Sequence, residues 1–252
     1  MLLEVKDLCM SFGGLNATDH VSMHVEDHQV TALIGPNGAG KTTLFNQITG
    51  VYKPNSGEIW FDGKRIDGLK PFQICEAGIA RTYQVINLFR RMTVLDNVLV
   101  GMHSRLECNV FHNFLHSPKM RLEEKRAREY AYELMDFVGI SEHAKDEAGS
   151  LPYGKQRLLE IVRGMASNPK LILLDEPAAG MNTAEKEDLN QLVKKILDRG
   201  ITILIVEHDM KLIMNIAHEI YVIESGKNLA NGTPAQISSN PDVIAAYLGA
   251  DE

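Results

Sequence analysis

What this 252-residue chain lacks excludes several classes at once. It has three cysteines, Cys9, Cys75 and Cys108, widely separated and without a Cys-x-x-Cys pair. That spacing argues against a zinc site or a disulfide framework and fits a reducing compartment. Positive charge is not in excess, since 26 Lys and Arg stand against 33 Asp and Glu for a net charge of −7. A global basic footprint for nucleic acid is therefore missing, which leaves room only for a local basic face. The clusters Arg90-Arg91 and 125–128 read as solvated surface, the second lying beside Glu123 and Glu124. The apolar runs, such as 201–206, fall far short of the roughly 20 residues of a membrane span. The opening MLLEVKDL carries charges early and no secretory apolar core, so no leader is expected. Long internal repeats and low-complexity tracts are absent too.

What is present is a succession of strands and helices. Leu3, Val5 and Leu8, then Val21, Met23 and Val25, alternate roughly with polar residues, and 30–34 is a buried-strand candidate. Residues 41–49 predict a helix closing at Gly50, and 56–66 a hairpin or meander. Residues 123–139 read as a charged helix with apolar positions at Ala127, Tyr130, Leu134 and Phe137. A second helix is expected over 158–167, with Leu158, Ile161, Val162 and Met165 on one face. Two apolar strands, 171–174 and 201–206, follow with a helix between them. Alternation of this kind predicts an α/β fold, and the middle of the chain reads as a helical insertion.

The sharpest motif is Gly35-Pro36-Asn37-Gly38-Ala39-Gly40-Lys41-Thr42, followed by Thr43. It matches G-x-x-x-x-G-K-[ST] with a strand before it and a helix after it, the context a phosphate-binding loop requires. The glycines let backbone N–H groups turn toward phosphate oxygens. Lys41 is then placed for the β and γ phosphates, and the Thr42 hydroxyl for Mg²⁺. A second motif closes the strand 171–174 with the adjacent carboxylates Asp175 and Glu176. Asp175 is placed to hold Mg²⁺, and Glu176 to polarise an attacking water. His208 follows another apolar strand and is the histidine positioned to reach the γ-phosphate, whereas His103, His112, His116 and His143 read as surface.

LPYGKQ at 151–156 precedes a helix-like run. A Pro near a helix start is ordinary, but a Gly two residues later weakens a helix. The stretch is either a plain loop-to-helix junction or a helix N-terminus left bare for an anion.

Taken in order, the phosphate loop, Gln84 in RTYQVINLF, LPYGKQ, LILLDEP and His208 resemble the ATP-binding cassette family over essentially the whole chain. The resemblance implies a P-loop NTPase with a RecA-like core, an N-terminal antiparallel β subdomain and an inserted α-helical subdomain. The implied divisions are a core of about 1–87 and 160–234, a helical subdomain of about 88–159 and a C-terminal helix of about 235–252. It implies that Gln84 is the Q-loop glutamine, near Mg²⁺ and the reacting phosphate. Leu151, Pro152, Tyr153, Gly154 and Lys155 become the signature, Asp175 the Mg²⁺ aspartate, Glu176 the catalytic glutamate and His208 the switch histidine. Ala179 to Asn182 fall where the D-loop lies, and Phe12 resembles the aromatic that stacks on adenine. In such cassettes two chains pack head to tail with ATP between the loop of one and the signature of the other. The Gly of LPYGKQ would then let an amide approach the γ-phosphate. Pro152 departs from the serine common there, supplying neither hydroxyl nor N–H, and Lys155 stands where Gln is common.

Finer features resemble the branched-chain amino acid importer ATPases of LivG type: SFGGLNA, GIARTYQVINLFRRMTVLDNVLVG, DEPAAGMN, the ending PDVIAAYLG, and an extended segment over 104–125 whose apolar residues suggest a role in assembly. Urea-importer and lipopolysaccharide-export cassettes are alternatives within the family. A small GTPase shares the phosphate loop, but no NKxD motif occurs here, and a nucleic-acid-associated cassette typically carries a second cassette or an insertion this chain lacks. The resemblance implies ATP and Mg²⁺ as ligands and a second cassette, the same or paralogous, as partner. It also implies transmembrane permease subunits, a solute-binding protein indirectly, no nucleic acid, and a place on the cytoplasmic face of the membrane.

Overall fold

The computed structural model describes residues 1–103 and 118–248, so the segment expectation for 104–125 lies largely outside the described residues. The chain forms two compact units, Met1–Arg81 with Lys170–Glu252, and Thr82–Pro169.

The first unit is built on two sheets. One is antiparallel, in the order β2-β1-β4-β5, from β1 (Leu3–Phe12), β2 (Leu15–Val25), β4 (Ser56–Phe61) and β5 (Lys64–Arg65). The other has the order β10-β9-β3-β8-β7-β6, from β3 (Val30–Ile34), β6 (Ile79–Arg81), β7 (Leu171–Asp175), β8 (Thr202–Val206), β9 (Glu219–Glu224) and β10 (Lys227–Gly232). In it β6, β7, β8, β3 and β9 run parallel, and β10 pairs antiparallel with β9. Every residue of β3, β7 and β8 is buried, as befits parallel strands covered on both faces. Strand β1 has one buried face instead, and register shifts between Val5 and Leu8 explain why its apolar positions skip three rather than two. The expected hairpin over 56–66 is β4 and β5, joined at Asp62 and Gly63, whose φ of 49° and 72° match a two-residue primed turn.

Helix α1 (Lys41–Ile48) lies in the core shared by the two sheets. Its Leu44, Phe45 and Ile48 are buried with Leu3, Leu8, Ile59 and Phe61 from one sheet and Leu33, Leu173, Leu204 and Val206 from the other. Helices α2 (Pro71–Ala77), α6 (Thr183–Asp198) and α7 (Met210–Ile216) also belong to this unit. The single C-terminal helix expected over 235–252 is instead two short ones, α8 (Pro234–Ser238) and α9 (Pro241–Leu248). Each opens on a proline, which cannot continue a preceding helix but fits a first turn. Asn240 accepts from the amides of Asp242 and Val243 and so starts the second.

The second unit contains α3 (Val94–Gly101), α4 (Pro118–Phe137) and α5 (Tyr153–Met165). Helix α4 begins earlier than the expected 123 and stops before Gly139, burying Ala127, Ala131, Leu134 and Met135, while Tyr130 and Phe137 are half-buried. Helices α3 and α5 approach closely at Gly101, where a Cβ would lie 2.2 Å from the Arg163 carbonyl oxygen. Helix α5 starts five residues before the expected 158, and Leu159 rather than Leu158 is fully buried. It also buries Arg157 and Glu160, whose side chains hold the backbone of 83–87. The backbone of 83–87 accordingly belongs to the second unit, which runs from Thr82 to Pro169.

Phe45 is fully buried beneath the Arg81 guanidinium, 5.5 Å from its ring centroid. Phe45→Ala is expected to lower unfolding stability by about 3–5 kcal/mol through lost transfer energy and a cavity, read by urea denaturation. A loss no larger than that of a surface substitution would contradict the placement of α1 at the centre of the core.

Candidate functional site

The loop from Gly35 to Gly40 links β3 to α1 and is pressed against its neighbours. A Cβ on Gly35 would lie 2.1 Å from the Ile223 carbonyl oxygen, and one on Gly40 2.1 Å from that of Ala17. Gly40 also has a φ of 104°, so glycine is required there on two counts. No side chain caps α1, which leaves the amides of its first turn to partners outside the helix. Thr42 is exposed and Thr43 half-buried in that turn. Lys41 is buried, and its ammonium donates to the carbonyls of Gly35 at 2.8 Å and Pro36 at 2.9 Å. Burial lowers its pKa below the usual lysine value, while the charges of Glu176 and Asp175 act in the opposite direction. A glycine-rich cradle, uncapped amides, a lysine and a threonine form a donor set suited to a polyphosphate with its cation.

Asp175 and Glu176 stand at the end of β7, next to β8, which is next to β3. Ligand sites at the C-terminal ends of parallel strands are the general pattern for such sheets. Asp175 is buried against Arg81, whose Nη2 donates to its Oδ2 at 2.7 Å. The same guanidinium donates to Asn46 Oδ1 at 2.6 Å and Thr49 Oγ1 at 3.2 Å on α1 and just beyond it. Glu176 adopts a φ of 46°, and its N–H donates to Val206 O at 2.9 Å. Its Oε1 lies 2.9 Å from His208 Nε2, so the structure brings these two expected residues into contact.

Between them in role is a residue that sequence reasoning missed. Glu207, at the end of β8, is buried; its Oε1 accepts from the Ala178 amide at 2.6 Å and its Oε2 from the His208 amide at 3.0 Å. It thus ties the stretch after Glu176 to the histidine. Burial pushes its pKa up, and the amides pull it back down. An acid directly before His208 in VEHDM was the available signal. Ala179 donates to the Glu176 carbonyl, and Asn182 caps α6 through the amides of Ala184 and Glu185.

Phe12 ends β1 and is 43 % exposed, meeting Tyr52 edge-on at 5.4 Å between ring centroids. It is therefore available as a platform and is not a core residue.

The remaining expected residues belong to the second unit. Leu151 is buried, Pro152 and Tyr153 are exposed, and Gly154 and Lys155 half-buried. Pro152 occupies the N-cap of α5 and gives it no side-chain cap. Lys155 Nζ lies 3.2 Å from Glu142 Oε1 and 2.6 Å from His143 Nε2. His143 is half-buried, with Nδ1 2.7 Å from Asp146 Oδ2, and so is not the plain surface histidine expected; His103 is exposed, and His112 and His116 lie outside the described residues. Gln84 is exposed, and its carbonyl accepts from Arg157 Nη2 at 2.7 Å. Arg157 also donates to Tyr83 O and to Glu160 Oε2, both at 2.7 Å, and Glu160 Oε1 accepts from the Asn87 amide at 3.2 Å. This buried ion pair fixes the loop that carries Gln84. An Arg and Glu three apart on a helix read as a solvated pair, which is why sequence reasoning passed over them.

A family model described as ABC transporter matches residues 18–179, and one described as branched-chain amino acid ATP-binding cassette transporter matches 227–252. The chain is 48 % identical over 249 residues to the high-affinity branched-chain amino acid transport ATP-binding protein BraF of Pseudomonas aeruginosa, covering 98 % of each chain. It is 46 % identical over 249 residues, with 98 % of each covered, to the corresponding LivG protein of Escherichia coli. Among solved structures, the ADP conformation of an ATP-binding cassette of an ABC transporter matches with a TM-score of 0.86 at 33 % identity, covering 98 % of each chain.

Glu207 generates a pH dependence with a definite sign. Its folded pKa is raised above the ordinary 4.5, so the folded chain holds the proton more tightly than the unfolded one. Its contribution to stability is fully present below about 4.5 and is lost as pH rises through the folded pKa. The unfolding free energy of wild type minus that of Glu207→Gln is therefore expected to fall as pH rises from 4.5. A difference that is flat or rises across that window, in urea titrations at stepped pH, would contradict the burial.

Proposed function

The chain belongs to the ABC transporter family of ATP-binding cassettes, and from that premise we propose that it is the ATP-hydrolysing subunit of an importer for branched-chain amino acids. The observation that carries the hydrolytic reading is the contact of Glu176 with His208 at 2.9 Å, at the ends of neighbouring parallel strands. The substrate class is supported by end-to-end likeness to chains named for branched-chain amino acid transport.

In this reading Lys41 exchanges the carbonyls of Gly35 and Pro36 for phosphate oxygens, and the backbone from Gly35 to Thr43 cradles the phosphates. Phe12 offers its exposed ring to the adenine. Thr42 and Asp175 would hold Mg²⁺, which supplies positive charge against the phosphates when bound. Arg81 fixes the Asp175 carboxylate beforehand through Oδ2. Glu176 takes the proton of the attacking water, and His208 orients it. For Gln84 a role toward Mg²⁺ and the reacting phosphate is proposed on sequence grounds alone. Leu151 to Lys155 are assigned to the ATP held by a second cassette, the same or paralogous.

Coupling to a permease has a physical handle on the second unit. Tyr83, Val85 and Phe89 flank Gln84 with exposed apolar side chains, Val85 being 79 % exposed. Such a patch suits a docked protein surface. No helix among the described residues is long and apolar enough to cross a membrane, so a permease would supply the span and hold this chain at the cytoplasmic face. Lys125 and Arg128 pair with Glu129 and Glu124 along α4, as on a solvated helix face.

Glu176→Gln keeps the side-chain shape and removes the base. It is expected to bind MgATP normally, to lower turnover about 10²–10⁴-fold in the assembled transporter, and to accumulate an ATP-bound dimer; wild-type turnover would assign the base to another group. On that background Pro152→Ser places a hydroxyl at the uncapped N-cap of α5. Capping contributes about 0.5–2 kcal/mol, and a hydrogen bond to phosphate about 1.5–3 kcal/mol at most. Half-maximal dimerisation should therefore shift to lower ATP. Dimerisation that is unchanged or weaker would remove the signature from the phosphate.

A further inference from the structure

On β1 and β2 of the antiparallel sheet, three side chains of metal-ligand type converge. Cys9 Sγ, a carboxylate oxygen of Asp19 and a ring nitrogen of His20 all lie within 4.8 Å of one another. We propose that Cys9, Asp19 and His20 bind a divalent cation of the zinc class.

The convergence is built by the backbone. Neighbouring residues of a regular strand face opposite sides of the sheet, which would separate Asp19 from His20. Here the β1–β2 register shifts on both sides of Leu8, and Asp7 and His20 adopt φ of 46° and 57°. The irregularity brings Asp19 and His20 to the same cysteine. The His20 amide donates to Cys9 Sγ at 3.3 Å, which ties the sulfur to the backbone of β2 beside the ring. The thiol itself donates to the Asp7 carbonyl at 3.6 Å, a bond given up when the proton leaves.

The surroundings of the ring fit ligation. Nε2 of His20 lies 3.9 Å from Asp19 Oδ1, and Nδ1 lies 4.0 Å from Asp7 Oδ1. A cation between Nε2 and Asp19 leaves Nδ1–H directed at Asp7, the carboxylate partner that metal-bound histidines commonly have. Lys227 Nζ holds the other Asp19 oxygen, Oδ2, at 3.2 Å and so aims Oδ1 at the ring. Donors around a tetrahedral zinc ion stand roughly 3.3–3.8 Å apart, given bond lengths of about 2.0–2.3 Å. Closure thus asks for a movement of about an ångström, and the His20 side chain, 72 % exposed, has the freedom to make it.

A sulfur, a nitrogen and an oxygen select zinc or cobalt over magnesium or calcium. Three protein ligands leave a position for water. Binding converts the Cys9 thiol to a thiolate–metal bond and releases one proton, with no redox change. The linear spacing of the cysteines points away from zinc because the donors come from facing strands and not from a Cys-x-x-Cys turn.

The test is titration of the full-length chain with Co²⁺, without nucleotide and with excess Mg²⁺ to fill sites of hard oxygen donors. The expected result is one equivalent bound with a sulfur-to-cobalt charge-transfer band, release of one proton, and displacement by Zn²⁺. Cys9→Ser should abolish the band, and His20→Ala and Asp19→Asn should each weaken binding at least tenfold. Asp7→Asn should weaken it about 10–100-fold while keeping the band. Should Cys9→Ser fail to fold, His20→Ala still tests the site, since it leaves the sulfur in place. No sulfur band in wild type, a band that persists in Cys9→Ser, or unchanged affinity in both His20→Ala and Asp19→Asn would overturn the proposal.

Discussion

The structure turns on how little room surrounds the start of α1. The helix is buried between two sheets, and the loop that feeds it runs so close to Ile223 and Ala17 that a Cβ at Gly35 or Gly40 would meet a carbonyl oxygen at 2.1 Å. That closeness fixes the loop to both sheets at once. Ala17 belongs to β2 of the antiparallel sheet and Ile223 to β9 of the other. A helix held this way presents its first-turn amides without spending any of them on a side-chain cap. The anion site proposed for this loop would therefore be a by-product of core packing, to which Phe45, Leu44 and Ile48 contribute as well as Lys41.

The same packing organises charge at the strand ends. Asp175, Glu176 and Glu207 bring three carboxylates to the ends of β7 and β8, which would repel one another if left alone. Arg81 answers the first, His208 contacts the second, and backbone amides of Ala178 and His208 hold the third. Losing one member of a buried pair such as Arg81–Asp175 typically costs about 3–5 kcal/mol, because the other charge is stranded. The arrangement reads as a scaffold that keeps each carboxylate in a separate role. On the second unit Arg157 and Glu160 do the analogous work for the loop carrying Gln84.

Much of this was legible in the sequence because it is local. The phosphate loop is one contiguous motif, the strands β3, β7 and β8 are mostly apolar runs interrupted only by Thr31, Asp175 and Thr202, and Gly50 and Gly139 mark helix ends through positive φ. What was illegible depends on residues far apart in the chain or on polar groups that the fold buries. Arg81 is 94 residues from Asp175, and nothing near it signals an acid partner. Arg157 and Glu160 have the spacing of a solvated helix pair but are buried by the loop they bind. Glu207 looks like one more acid beside a histidine until the Ala178 amide is seen on it. The start of α5 was set too late because Gly154 suggested a loop, whereas Pro152 at the N-cap already opens the helix. The meeting of Cys9 with His20 needs two register shifts that no periodicity shows.

The central claim is that the buried lysine of the loop is there for phosphate. It is tested most directly by measuring equilibrium MgATP binding and steady-state hydrolysis of Lys41→Ala beside wild type, with the permease present. Lys41 now donates to two carbonyls of its own loop, so its removal leaves the cradle's backbone in place and takes away one charge. The account predicts loss of MgATP binding or of hydrolysis, with the folded state retained. Near-normal turnover by Lys41→Ala would contradict it.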